Sequence, residues 1–135
     1  MVLACRNSRK TSGQTSALVV GCGGLGCELV KILSQTGGFQ LTLVDFDTID
    51  LTNLNRQFYY TRDDIGKSKS QRLASKVNCA YFCSKIEEVD SIEFYRGFGV
   101  VFNCLDSDRV RSHVNKMCYL SRTRLIDGAS GGWLG

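Results

Sequence analysis

The stretch VGCGGLGCELVK, beginning at Val20, constrains the fold more than any other part of the chain. Gly21, Gly23 and Gly26 fit the spacing G-x-G-x-x-G, just after the apolar run ALVVGC at 17–22. In a βαβ unit, glycines so placed permit a tight turn, close approach of a phosphate to the backbone and close packing of helix on strand. The phosphate then sits at a helix N-terminus, where unpaired N–H groups and the dipole favour negative charge. After the loop, Leu25, Leu29, Ile32 and Leu33 fall on one helical stripe, which is expected to face the core.

Further runs rich in apolar and β-branched residues occur at 41–46 (LTLVDF) and 99–105 (GVVFNCL), with weaker candidates at 79–83 and 123–127. Their hydrophobicity is continuous rather than alternating, which suits strands covered on both faces. Val110, Val114, Met117 and Cys118 form a second helical stripe. Alternating strands and helices predict an α/β, Rossmann-like doubly wound fold, with a mainly parallel sheet flanked by helices. Residues 1–16 read as a polar lead-in and 17–135 as one nucleotide-binding domain; 135 residues, 43% of them hydrophobic, supply one core and leave little for a second.

Composition removes several function classes. The apolar runs are too short to cross a bilayer, and none is placed like a signal peptide, so no membrane role is expected and the setting should be intracellular, cytoplasmic or nuclear. A net charge of +4 could suit nucleic acid, but the basic residues are scattered and no nucleic-acid partner is expected. Seven cysteines, an odd number set mostly in apolar runs, read as reduced buried thiols rather than disulfides. No C-x-x-C occurs, and His113 offers the one imidazole, which argues against zinc. His113 itself reads as structural. GKS at 66–68 imitates the end of a phosphate loop, but Thr61 stands where the leading glycine belongs.

The second strand should end at VDFD, which puts Asp45 where a ribose-binding carboxylate belongs. Beyond it come Asn53, Asn55, Arg56 and Gln57, then Lys69. Cations aimed at phosphates suit a triphosphate whose charge must be neutralised during reaction. Asp106 follows the strong run at 99–105, and a carboxylate there points into the ligand crevice as a natural Mg²⁺ ligand. Two other readings stay open from the residues: an NAD-dependent oxidoreductase, and a non-catalytic partner or fragment that keeps the fold.

The segments VVGCGGLGCELVK, DFDTIDLTNLNRQF, IGKSKSQ, LDSDRVRSHVNKMC and LIDGASGGWLG resemble, in that order, the adenylation domain of ubiquitin-activating (E1-type) enzymes and their bacterial relatives. FYRGF, HVNKMC and GGWLG are most similar to the SUMO-activating branch, while LIDG is nearer the NEDD8 branch. The resemblance implies that Gly21, Cys22, Gly23, Gly24, Leu25 and Gly26 line the ATP phosphates and Asp45 holds the ribose. Asp47 matches a second acidic position near the nucleotide. Asn53, Leu54, Asn55 and Arg56 match the segment that reaches the phosphates, Lys69 the active-site lysine and Asp106 the magnesium ligand. Lys85 and Ile86, with Ser107, Asp108, Arg109, Val110 and Arg111, match the surroundings of the adenine. Arg56, Lys69 and Asp106 would be the catalytic set.

The implied reaction is ATP- and Mg²⁺-dependent adenylation of the C-terminus of a ubiquitin-like protein, most nearly SUMO. An α-carboxyl group, with a pKa of roughly 3.5, is already ionised at neutral pH and needs no general base. The same resemblance implies a complementary E1 subunit in a heterodimer and an E2 conjugating enzyme met through later domains. Those domains and the thioester cysteine are expected beyond Gly135, so the chain reads as a truncated portion.

Overall fold

The computed structural model describes residues 12–55 and 57–128. β1 (Thr15–Val20) leads into α1 (Gly24–Thr36) and β2 (Phe39–Val44), followed by α2 (Lys69–Val77), β3 (Ala80–Phe82), α3 (Ile92–Arg96), β4 (Val100–Asn103), α4 (Asp108–Ser121) and β5 (Arg124–Asp127). Every neighbouring pair is parallel, in the order β3-β2-β1-β4-β5. The chain therefore winds outward from β1 in one direction and then in the other. The switch point lies between β1 and β4, and open sheets of this kind bind ligands at the carboxyl ends of the strands there.

Both faces of the sheet are covered. Ala17, Val19, Leu41 and Leu43 pack on one side with Cys27, Val30 and Leu33 of α1 and Leu73 and Ala74 of α2. Leu18, Val20, Val44 and Val101 pack on the other with Tyr95 of α3 and Val114 and Cys118 of α4. Burial of alternate residues on opposite faces is why these strands read as continuous apolar runs. β1 begins at Thr15, two residues before the expected start, because its N–H donates to the Gly38 carbonyl at 3.0 Å and extends the ladder with β2.

The stripe expected of α1 is met in half: Leu29 and Leu33 pack on the core, and Leu25 and Ile32 do not. The buried residues of the helix are Gly26, Cys27, Val30 and Leu33, whereas Leu25 is 41% and Ile32 55% exposed. The cause is the loop: a side chain at Gly26 would overlap the Gly21 carbonyl, so this glycine is the helix's point of closest approach. Helix phase follows that contact, which brings Cys27 and Val30 inward beside Leu29 and Leu33. The six described cysteines are free thiols. His113 places Nε2 2.7 Å from Asp90 Oδ2, which ties α4 to the loop before α3.

Candidate nucleotide site

Gly21 takes φ +100, a left-handed backbone that few side chains adopt, and an added Cβ would lie 2.9 Å from Leu105 Cδ2. Its glycine is required both by the turn and by the neighbouring β4 loop. Cys22 follows, fully buried, with its side chain in the core and its N–H donating to Asp45 Oδ2 at 2.7 Å. The other oxygen, Oδ1, accepts from the Asp47 N–H at 2.8 Å. Asp45 thus pins the glycine loop to the end of β2, and each of its oxygens keeps a further lone pair for a ligand. Burial raises its pKa, against the lowering effect of the two backbone N–H groups.

The long connection between β2 and α2 brings back the cation. Lys69 opens α2, its N–H donates to the Asp47 carbonyl at 3.0 Å, and its Nζ lies 3.9 Å from Asp47 Oδ2. An antiparallel bridge, Thr48 to Ser68, holds the connection, and Ser70 Oγ donates to the Asp45 and Phe82 carbonyls at 3.2 and 3.0 Å. Behind it, buried Asp64 accepts from Arg72 Nε at 2.7 Å and faces Lys76 and Lys67 at 3.6 and 3.8 Å. Asn53 Oδ1 accepts from the Asp50 N–H at 2.9 Å, which leaves its amide hydrogens as the groups to offer a ligand.

Two hollows meet along this crevice. One is polar, lined by Gly23, Gly24, Leu25, Asp45, Asp47, Asn53, Gln57, Lys69 and Asp106, with Cys104 and Leu105 on the β4 side. The other is largely apolar, with Val20, Val44, Phe46, Ile86, Leu105 and Val110 in its walls and Lys85, Ser107 and Arg109 at its polar positions. Asp45 and Leu105 belong to both. Asp106 is exposed, so its carboxylate is available to a cation. Among the described residues no group of three or more His, Cys, Asp or Glu side chains could hold a metal on its own. A magnesium ion held by one carboxylate and by ligand phosphates fits this arrangement.

The structure does not bring every sequence candidate to the crevice. Gly21, Cys22 and Gly26 shape the loop from behind without lining either hollow. Leu54 packs on the core and Asn55 faces outward. Arg56 lies outside the described residues. Asp108 and Arg111 line a separate surface hollow, where Arg111 Nη2 lies 2.8 Å from Asp127 Oδ2. The reason is helix phase: α4 begins at Asp108, so Arg109 and Val110 turn to the crevice while 108 and 111 turn away from it. Conversely, Gln57, 4% exposed with Oε1 unpartnered, lines the polar hollow, and the buried, unpartnered Ser84 Oγ lines the apolar one. Ser84 belongs to no motif that announces it, whereas Gln57 is signalled by the polar run that begins at Asn53.

Comparisons with known proteins agree with this geometry. The chain is 40% identical over 132 residues to SUMO-activating enzyme subunit uba-2 of Caenorhabditis elegans, covering 90% of this chain and 22% of that protein. It is 43% identical over 122 residues to the NEDD8-activating enzyme E1 catalytic subunit of the same organism, covering 84% and 28%. The chain thus spans about a quarter of the length of these relatives. Among solved structures, the E. coli tRNA N6-threonylcarbamoyladenosine dehydratase TcdA in complex with AMP superposes with a TM-score of 0.80 at 26% identity, covering 89% of this chain and 53% of that one. The same enzyme in complex with ATP gives 0.77. With the glycine loop, the five parallel strands and the divided crevice in place, the match of the ThiF family profile to residues 2–135 settles the assignment: the chain belongs to the ThiF family.

Proposed function

We propose that this chain forms the ATP-binding part of an enzyme that adenylates the C-terminal carboxylate of a ubiquitin-like protein, with a SUMO-type modifier as substrate. The observation that carries the reading is the order of the crevice: an apolar hollow, then Asp45, then a polar hollow with Asn53, Lys69 and Asp106. That order suits base, ribose and phosphates in turn. The relative solved with ATP supports the nucleotide, and the SUMO-activating relative, matched over 90% of this chain, supports the modifier.

In this reading a carboxylate oxygen attacks the α-phosphorus, the bond from that phosphorus to the bridging oxygen breaks, and pyrophosphate leaves with the electron pair. No proton moves. The obstacle is the approach of two anions, so the protein's task is neutralisation and alignment. Lys69 supplies a nearly buried cation, which the backbone hydrogen bond and ion pair to Asp47 hold in place. Arg56 is proposed as the second. Magnesium, when bound with ATP at Asp106, would neutralise charge on the phosphates.

Five thiols of this chain are unsuited to a later transfer step. Burial raises the thiol pKa of Cys22, pushes Cys27 and Cys118 up to about 11, and pushes Cys79 and Cys104 up to about 12. Such thiols stay protonated and are poor nucleophiles. The proposed partners are the modifier, a complementary subunit and an E2 enzyme.

Exchange of labelled pyrophosphate into ATP tests the reading. With the complementary subunit present, exchange should require a ubiquitin-like protein and prefer SUMO. Preference for NEDD8 would reassign the substrate, and exchange indifferent to every such protein would overturn the adenylation reading.

A further inference from the structure

We propose that Tyr60 is a positioning residue that aims the glycine loop's N–H groups at the phosphates; the proposal rests on the ATP reading above. Tyr60 is 4% exposed, and its ring lies in the core on the α1 and α2 side of the sheet. A buried phenol needs a partner for its hydroxyl. Here the hydroxyl donates to the Cys22 carbonyl at 2.8 Å and lies 3.2 Å from the Lys69 carbonyl. One side chain therefore bridges the two elements that build the polar hollow, the glycine loop and the start of α2.

The consequence follows from peptide geometry. The Cys22 carbonyl and the Gly23 N–H share one planar trans peptide, so they point in opposite directions. Holding the carbonyl toward the core turns the Gly23 N–H toward the hollow that Gly23 lines. Glycine accepts both signs of φ at little cost, so a peptide before glycine flips easily unless something holds it. On one side Asp45 holds the Cys22 N–H. On the other, the carbonyl is held by the Tyr60 hydroxyl and by the weaker thiol of Cys27 at 3.6 Å. Burial raises the phenol's pKa, so the donor keeps its proton across the working range of pH.

Tyr60→Phe removes the donor and keeps the ring. Dissociation constants for ATP and for adenosine, measured by calorimetry on the full chain with Mg²⁺, separate aiming from general damage. Loss of one hydrogen bond should weaken ATP about fivefold while adenosine changes less than about twofold. Equal weakening of both, or no change in either, overturns the proposal and leaves the ATP reading intact. A wild-type chain that binds no ATP overturns both. Should the variant not fold, amide exchange of Gly23 in the wild-type chain decides: ATP must slow it more strongly than adenosine does, and equal slowing overturns the proposal.

Discussion

The two halves of the crevice are held in place by different physics. Around the polar hollow the supports are buried and polar: Asp45 grips two backbone N–H groups, Tyr60 and Ser70 donate to carbonyls, and Asp64 gathers three cations behind α2. Around the apolar hollow, beyond the shared Asp45 and the buried Ser84, the walls are mostly core side chains such as those of β1, β2 and α4, and the charged contacts lie at the surface. Arg109, 82% exposed along its side chain, pairs with Glu87 at 3.2 Å, and Lys85 stands over the Phe46 ring at 5.2 Å. Charged phosphates demand fixed directions, and fixed directions need hydrogen bonds with few alternatives. A base held by its faces needs only shape. Substitutions in the polar half should therefore cost far more than equivalent ones in the apolar half.

The largest effect is expected at Asp45. Asn offers one acceptor oxygen and two N–H donors where two backbone N–H groups must be accepted, so Asp45→Asn should lower stability by about 3 kcal/mol, seen in urea unfolding, and abolish measurable ATP binding. The native side chain also fixes a sign. Burial raises the Asp45 pKa, so the folded state holds its proton more tightly than the unfolded chain does. In the window just above its ordinary value this carboxyl's contribution to stability falls as pH rises, and the variant should lose that slope.

Next come the groups that face the ligand without supporting the fold. Asp106→Ala should lower pyrophosphate exchange about a hundredfold, the loss typical of one contact to developing charge. Because Asp106 is exposed, the melting temperature should hardly move. An unchanged exchange rate would remove Asp106 from the catalytic set. A melting temperature that fell with it would instead place Asp106 among the supports.

Much of this division could be read from the sequence, and the failures have identifiable causes. β1, β2 and β4 declare themselves because both faces are buried, and the parallel topology then carries Gly23, Asp45, Asn53, Lys69 and Asp106 to one crevice. α2 is hard to see because a short polar helix carries few apolar side chains, Leu73, Ala74 and Val77, to the core. α1 is half legible because hydrophobic periodicity finds Leu29 and Leu33 but ignores the close contact at Gly26, which leaves Leu25 and Ile32 outside. Asp108 and Arg111 fall outside for a similar reason, since a contiguous motif spans more than one face of a helix. Tyr60 and Ser84 escape because their roles depend on what lies opposite them in space.

Asp64 probes the polar half one layer further out. Its carboxyl pKa is lowered to about 2, chiefly by the Thr61 backbone N–H and also by Arg72 and Lys76. The folded state thus releases this proton more readily than the unfolded chain. The stability it adds is present above about pH 4, the ordinary carboxyl value, and is lost as pH falls toward about 2. Asp64→Asn should cost about 2 kcal/mol at neutral pH, because its cations are partly exposed and a fully buried pair would cost more. Unfolding curves between pH 4 and 2 should flatten in the variant.

The smallest effect tests the apolar half directly. Arg109→Ala removes an ion pair between α4 and the turn Ile86–Glu88, which also supplies a wall of the hollow. If that pair held the wall in position, its loss would loosen the hollow and weaken adenosine and ATP alike. The physics of exposed pairs argues otherwise: screening by solvent and the entropy of two long side chains leave a contribution of about 0.5 kcal/mol or less. Ile86, 2% exposed in the core with Val20 and Val44, holds the same turn by packing alone. Arg109→Ala should therefore leave adenosine affinity within about twofold, an upper bound set by that small term. A loss of tenfold or more would mean that the apolar half is also held by charge, and the contrast between the two hollows would have to be abandoned.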